Sequence, residues 1–294
     1  MEDDRFDISV DLVERLIAGQ FTELSNLPVT KVEPGGNDNR TFRVGDELSA
    51  RLPSAPRYVA GVDKEHRWLP ALAQRLPLPI PDPVGLGRPG EGFPAPWSLI
   101  RWMPGSDLTA ATGLDRPRLA ADLGSFLGAL QVIDATGGPA AGAHCFFRGA
   151  SLTHYDAETQ AALEHLKNDL PDLGTATRVW NEAISTEWND APRWFHGDVA
   201  PGNLLAERGV LSAVIDFGTC GIGDPACDLV IAWTFFDREQ RRIFAREVDL
   251  DPATWSRARG WALWKALISV GGDAYDDAET YRVIGEVLAD PVVV

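Results

Sequence analysis

The sequence predicts an α+β fold with a small N-terminal lobe built on an antiparallel sheet and a larger, mainly helical C-terminal lobe. In the first hundred residues, short β-like runs alternate with turns that contain Gly and Pro. Beyond residue 104, apolar residues recur every three or four positions, which indicates helices. We place the boundary at Pro104-Gly105, so the lobes are 1–103 and 104–294.

The N-terminal lobe is predicted to hold one opening helix, a sheet and a second helix. Apolar residues spaced three and four apart from Val10 to Phe21 predict the opening helix. Alternation and β-branched residues predict strands over 27–33, 39–45, 47–52 and 97–103, and a helical pattern spans 58–76. We expect the sheet to be antiparallel because hairpin-type turns separate the first three strands.

A charged pair is predicted between a strand and a helix of this lobe. Glu65 lies on the apolar stripe of the helix, three residues after Val62 and four before Leu69. An inward-facing carboxylate needs a cation, and strand alternation makes Arg51 the nearest candidate. A purely structural ion pair and a ligand-binding pair both remain open at this point.

The C-terminal lobe is predicted from helical periodicity. One apolar stripe runs from Leu119 to Leu130. Further helices are expected near 155–168, 175–189, 226–247, 251–270 and 276–289. The lobe is therefore expected to bury its core mainly between helices.

Charge and composition exclude several classes of protein. The formal net charge of −16 disfavours nucleic acid as a partner, and it either keeps the protein soluble or attracts a cationic ligand. The acidic start is unlike a signal peptide, and no apolar run reaches the length of a membrane span. Three cysteines cannot all pair and show no zinc spacing, so we expect a cytoplasmic protein.

Polar residues follow two apolar strands in 194–218. The first strand runs into His196-Gly-Asp198, with Asn203 five residues later, and the second ends at Asp216-Phe-Gly. A tight turn between the strands is expected to bring Asn203 and Asp216 together, where their oxygens suit Mg²⁺. Asp198 is then placed to accept the proton of a hydroxyl group that attacks a nucleotide phosphate.

These motifs, together with Gly223-Asp224-Pro225 and Asp228, resemble the aminoglycoside phosphotransferase family. The resemblance implies the two-lobed protein-kinase-like fold and ATP-dependent, Mg²⁺-requiring transfer of the γ-phosphoryl group to a hydroxyl of a small molecule. It implies an aminoglycoside-type acceptor, hence antibiotic modification, and no protein partner. By the same resemblance, Asp198 is the catalytic base, His196 braces its loop, and Asn203 and Asp216 are the metal ligands.

The resemblance also assigns residues of the N-terminal lobe to the nucleotide. Arg51, held by Glu65, takes the place where the family commonly has Lys and would bind the phosphates. Backbone groups of Arg101 and Met103 would meet the adenine edge. Asn37 and Asn39 lie in a turn that either covers the phosphates or is a plain hairpin turn. In the other lobe, Asp224 reads as a helix N-cap before Pro225, and Asp228 as a brace for the catalytic loop.

The acceptor is the least constrained part of the reading. Acidic residues in the C-terminal lobe are candidates for binding ammonium groups, or they are solvated helix faces: Asp156, Glu158, Glu182, Asp273, Asp276 and Asp277. Alternatives with the same fold are a metabolic kinase for homoserine, choline or a sugar derivative, and a macrolide kinase. A different alternative is a catalytically dead, nucleotide-binding regulatory protein.

Overall fold

The computed structural model describes residues 4–33, 35–272 and 276–289. The chain forms two compact units. The first consists of Met1–Gly105 and Ala213–Thr219, and the second of Ser106–Ser212 and Cys220–Val294. A short segment that includes Asp216 thus belongs to the first unit, and nothing in the sequence pattern indicated this return.

The first unit contains a five-stranded sheet in the order β1-β2-β3-β5-β4, with antiparallel pairing throughout. Its strands are β1 (Val29–Lys31), β2 (Asn39–Val44), β3 (Leu48–Pro53), β4 (Pro83–Gly87) and β5 (Trp97–Arg101). Strand β4 was missed because it lies in a Pro- and Gly-rich stretch. Gly87 is required there, since a Cβ at this position would lie 2.0 Å from the ring of Trp97.

Two helices accompany this sheet. Helix α1 (Val10–Gln20) is capped by Ser9 and buries Leu12, Val13, Leu16 and Ile17, which join the core formed with the sheet residues. Helix α2 (Val59–Ala73) follows a single 3₁₀ turn and buries Glu65 along with its apolar stripe. The predicted antiparallel sheet and both predicted helices are confirmed.

The second unit is mainly helical. Its long helices are α3 (Arg116–Gln131), α4 (Asp156–His165), α5 (Leu173–Ile184), α7 (Arg238–Val248), α8 (Pro252–Ser269) and α9 (Asp277–Ala289), and α6 (Ile231–Thr234) is a single turn. Helix α8 is buried on nearly all sides, which makes it the central helix of the unit. The predicted α+β fold is therefore confirmed.

Short strands position the loops of the second unit. They are β6 (Ser106–Asp107), β7 (Arg193–Phe195), β8 (Leu204–Glu207), β9 (Val210–Val214, of which Val210–Ser212 lie in this unit) and β10 (Gly221–Gly223). The pairing orders are β6-β8-β9 and β10-β7. Neither β6 nor β10 was predicted, because strands of two and three residues carry no readable period.

One predicted helix is wrong in extent. The stretch 226–247 is not continuous: a 3₁₀ helix (Pro225–Val230) leads into α6, and α7 starts afresh at Arg238. Asp237 ends the interruption with a capping box, accepting from the backbone N–H of Gln240 while the Gln240 side chain accepts from Asp237 N–H. No helix among the described residues is long and apolar enough to cross a bilayer.

Candidate active site

A buried carboxylate fixes the loop that follows β7. Asp228 is fully buried, and its two carboxylate oxygens accept hydrogen bonds from the backbone N–H groups of His196 and Gly197, each at 2.7 Å. Burial raises the pKa of Asp228, although the nearby His196 and the two N–H donors act in the opposite direction. This contact holds the loop backbone as the predicted brace would.

The histidine of this loop is buried and contacts the loop backbone. His196 is completely buried, and its Nδ1 accepts a hydrogen bond from the backbone N–H of Asp198 at 3.2 Å. A neutral imidazole that accepts at Nδ1 carries its proton on Nε2. The imidazole ring therefore fixes the orientation of the backbone N–H group of Asp198.

Asp198 is held through both carboxylate oxygens. Its Oδ1 accepts from Lys265 Nζ at 3.1 Å, and its Oδ2 accepts from Asn203 Nδ2 at 3.0 Å. Its side chain is nevertheless 39% exposed. Burial acts to raise the pKa of Asp198, but the charge on Lys265, together with a smaller contribution from the neighbouring His196, outweighs it and holds the pKa below the ordinary value. A fixed, ionised carboxylate thus faces solvent.

Lys265 was missed by the sequence reasoning. It lies on α8, 67 residues from Asp198 along the chain, where the surrounding helix is apolar. A lysine directly after the buried Trp264 was the available signal, because a cation at such a position usually has a partner.

Asn203 closes the same loop. It ends the 3₁₀ turn Pro201–Asn203, and its amide nitrogen also donates to the backbone carbonyl of Asp198 at 2.9 Å. Because the nitrogen is committed to Asp198, the Oδ1 atom is left as the acceptor that can meet a cation.

The first unit carries a buried cluster of three charges. Arg51 Nη2 lies 2.8 Å from Asp216 Oδ1, and Arg51 Nη1 lies 3.4 Å from Glu65 Oε1. Burial opposes ionisation of Arg51, yet the two carboxylates raise its pKa. Burial likewise raises the pKa of Glu65, although Arg51 acts to lower it. The predicted Arg51–Glu65 pair is present, and the contact with Asp216 was not foreseen.

Asp216 has an unusual, left-handed backbone conformation. Its φ is +66°, a left-handed value that Asp tolerates better than most residues and that is typical of functional positions. Oδ1 accepts from Arg51. Within the described part of the chain, Oδ2 has no hydrogen-bond partner.

The remaining nucleotide-site predictions fall on residues with ordinary structural contacts. The backbone N–H of Arg101 donates to the carbonyl of Asp82, and its side chain pairs with the Asp82 carboxylate. Met103 follows β5 and is half-buried. The backbone carbonyl of Asn37 accepts from Ser54 Oγ at 2.5 Å. Asn39 begins β2.

The segment Gly223–Asp228 is structural. Asp224 is the predicted cap and accepts from the N–H of Ala226. It also forms a buried ion pair with Arg257, 2.6 Å between Oδ2 and Nε, which was not anticipated. Burial raises the pKa of Asp224, whereas Arg257 lowers it. The pair ties the end of the motif to helix α8.

The first unit carries Arg51 between two carboxylates on a sheet-based fold. The helical second unit holds the ionised Asp198 beside Asn203. This combination is typical of a kinase-type phosphotransferase. The sequence model of the phosphotransferase enzyme family matches residues 30–261. The chain belongs to this family, as its motifs predicted.

Solved structures have the same fold. Wild-type aminoglycoside 2'-phosphotransferase-IIIa in its GDP complex matches with a TM-score of 0.72 at 20% identity, covering 96% of this chain and 99% of that one. The GDP and kanamycin complex of APH(2")-IIIa matches with 0.70 at 20% identity, over 94% and 96%. Macrolide 2'-phosphotransferase MphH from Brachybacterium faecium matches with 0.59 at 19% identity, over 95% and 97%. No curated protein sequence matches the chain.

Proposed function

We propose that the protein transfers the γ-phosphoryl group of ATP to a hydroxyl group of a small molecule. The observation that carries this proposal is the state of Asp198, which is ionised, held through both oxygens and still 39% exposed. A carboxylate needs these properties to orient a hydroxyl group and accept its proton.

In the proposed reaction, the acceptor hydroxyl donates a hydrogen bond to Asp198, and its oxygen attacks the terminal phosphorus of ATP. The bond from that phosphorus to the bridging oxygen breaks, ADP leaves, and the hydroxyl proton passes to Asp198. Most of the rate enhancement in such transfers comes from positioning and charge neutralisation, which is why the carboxylate is fixed by Asn203 and Lys265.

Asn203 of the second unit and Asp216 of the first unit are the residues proposed to hold Mg²⁺. Asn203 Oδ1 and Asp216 Oδ2 are oxygen atoms of the hard type that this cation prefers. Among the described residues, no group of three or more His, Cys, Asp or Glu could hold a metal by itself. In the proposed complex, phosphate oxygens and water complete the shell. When bound, Mg²⁺ neutralises charge on the phosphates.

Arg51 is the residue of the first unit proposed to bind the phosphates. The guanidinium group of Arg51 contacts Glu65 through Nη1 and Asp216 through Nη2. A planar guanidinium group can bind phosphate oxygens when one of these contacts is exchanged for a phosphate. Structural neighbours in complex with GDP, ADP and ATP support a nucleotide at this fold, and both ATP and GTP belong in the assay. The contacts to Arg101, Met103, Asn37 and Asn39 stay predictions.

The structural neighbours support two classes of acceptor. Neighbours in complex with kanamycin, gentamicin and streptomycin support an aminoglycoside-type acceptor, and with it antibiotic modification. Neighbours that are macrolide phosphotransferases support the alternative.

The test couples ADP release to a panel of hydroxyl compounds, with and without Mg²⁺. Calorimetry measures nucleotide affinity in parallel. Asp216→Asn should remove the Mg²⁺-dependent gain in nucleotide affinity and abolish transfer, whereas Asp63→Asn, an exposed acid on α2 with the same charge change, should retain both. If Mg²⁺ never strengthens binding in the parent protein, the dead regulatory protein becomes the better reading.

A further inference from the structure

A small cavity in the second unit lies directly beside the candidate base. Its walls include Asp198, Lys265, Arg148 and the indole rings of Trp261 and Trp264. Its volume is about 10 Å³, which admits a group the size of one water molecule. The cavity can therefore receive a single oxygen atom of a ligand whose remainder lies outside it, and two cations outnumber the single carboxylate among its walls.

Arg148 has binding capacity that the protein does not use. Its Nη1 atom is buried and has no hydrogen-bond acceptor among the residues that the structure describes. The guanidinium carbon lies 4.8 Å from the ring centre of Trp264 and 5.4 Å from that of Trp261, so the aromatic rings hold the group in place. A buried guanidinium N–H without an acceptor is unfavourable, and a ligand that carries an acceptor would satisfy it.

Lys265 offers a second free donor. Its ammonium group has three N–H donors, and one of them is directed at Asp198 Oδ1. The side chain is 31% exposed, so the other donors can be reached. Arg148 and Lys265 line the same cavity as Asp198, and both act to lower the pKa of that carboxyl group.

Two of the acidic residues considered for a cationic acceptor accept hydrogen bonds from indole N–H groups. Asp156 Oδ1 accepts from the indole N–H of Trp180 at 2.7 Å, and Glu158 Oε2 accepts from that of Trp264 at 2.7 Å. Asp273 lies outside the described residues. Asp156 and Glu158 therefore support aromatic packing. Of the charged side chains that line the cavity, two are cations, Arg148 and Lys265, and one is the carboxylate of Asp198.

We propose that the acceptor carries an anionic group, a carboxylate or a phosphate, which Arg148 and Lys265 bind next to the hydroxyl that reacts at Asp198. This inference rests on the proposed function and specifies its substrate class. Cations beside the base would also repel the ammonium groups of an aminoglycoside, since opposed charges at close range select against the wrong partner.

The test uses three-carbon probes that differ in charge. Protein loaded with Mg²⁺ and ADP is titrated with glycerate, glycerol phosphate, glycerol and serinol, and tryptophan fluorescence is followed because Trp261 and Trp264 line the cavity. We expect saturable binding of glycerate or glycerol phosphate, and the stronger of the two tells a carboxylate site from a phosphate site. Glycerol and the cationic serinol should bind at least tenfold more weakly than the better anion.

Variants connect that binding to the two cations. Arg148→Gln should weaken the anion by about 10- to 100-fold, the loss expected for one charge-assisted hydrogen bond, and leave ADP affinity within a few-fold. Lys265→Met should also weaken anion binding and leave ADP affinity within a few-fold. It serves as the second variant if Arg148→Gln does not fold. Arg178→Gln, an exposed arginine on α5, is the matched control and should change neither affinity.

Three results would overturn the inference while nucleotide binding stays intact. They are stronger binding of serinol than of either anion, no anion binding at all, and a loss of ADP affinity instead of anion affinity in Arg148→Gln. Failure of the parent protein to bind nucleotide would instead refute the proposed function, so the two failures are distinguishable.

Discussion

Replacing Arg51 by Met tests the buried charge cluster of the first unit. The substitution removes the cation from between Glu65 and Asp216, whose side chains are 6% and 29% exposed. Breaking a buried ion pair by removing one partner typically costs about 3–5 kcal/mol of unfolding free energy, because the remaining charge is left uncompensated. We expect a loss of this size at about pH 8.

The loss should depend on pH in a defined direction. Burial raises the pKa of Glu65 above its ordinary value of 4.5, and removing Arg51 raises it further because Arg51 acts to lower it. Between pH 4.5 and the raised pKa, the folded state binds more protons than the unfolded state, so stability falls as the pH rises through this window. The deficit of Arg51→Met should therefore be smaller at about pH 5 than at about pH 8.

Urea unfolding of the parent and the variant at both pH values measures this deficit. Arg101→Met is the matched control, because Arg101 on β5 of the same sheet also pairs with an aspartate, Asp82, but is 57% exposed, and its loss should cost about 0–1 kcal/mol. Arg51→Lys should keep part of the stability, since one ammonium group cannot reproduce the planar fork. A deficit of Arg51→Met below about 1 kcal/mol, or one that does not change with pH, would refute the reasoning.

Two further predictions concern the second unit and are checked by the same unfolding assay. Gly149 and Gly137 share a φ of +73°, but a Cβ at Gly149 would lie 2.1 Å from the Phe195 ring, whereas nothing lies within 4 Å of one at Gly137. Gly137→Ala should therefore cost about 1 kcal/mol and Gly149→Ala at least about 2 kcal/mol more, and equal losses would contradict the steric argument. Asp228→Ala leaves two buried N–H donors unsatisfied and should cost roughly 2–6 kcal/mol, at 1–3 kcal/mol for each donor, so a loss under about 1 kcal/mol would show that Asp228 does not hold the loop.

Much of the fold could be predicted because, in helices and strands with one buried face, apolar residues recur with the period of the element. Helices α1, α2 and α3 carry regular apolar stripes, and the structure confirms them. Strand β4 was not predicted because it lies in a Pro- and Gly-rich stretch without alternation, and its pairing with β5 is seen only in the structure. The spacing of apolar residues indicates which face of an element is buried, but it does not indicate which distant segment the element pairs with.

The candidate site shows the same limit. The Arg51–Glu65 pair could be predicted because both residues have a defined phase on a strand and a helix only 14 residues apart. The contact of Arg51 with Asp216 spans 165 residues, and that of Lys265 with Asp198 spans 67. No local pattern encodes such a distance, so these partners became visible only in the folded chain.

The most direct test of the central claim is the turnover of Asp198→Asn with the best acceptor found in the ADP-release panel. The amide keeps the size of the side chain and an oxygen for Lys265, but it cannot accept the hydroxyl proton. We predict that kcat falls by roughly 10²–10⁴ while nucleotide affinity stays within a few-fold of the parent value. Near-normal kcat in a folded Asp198→Asn protein would contradict the account.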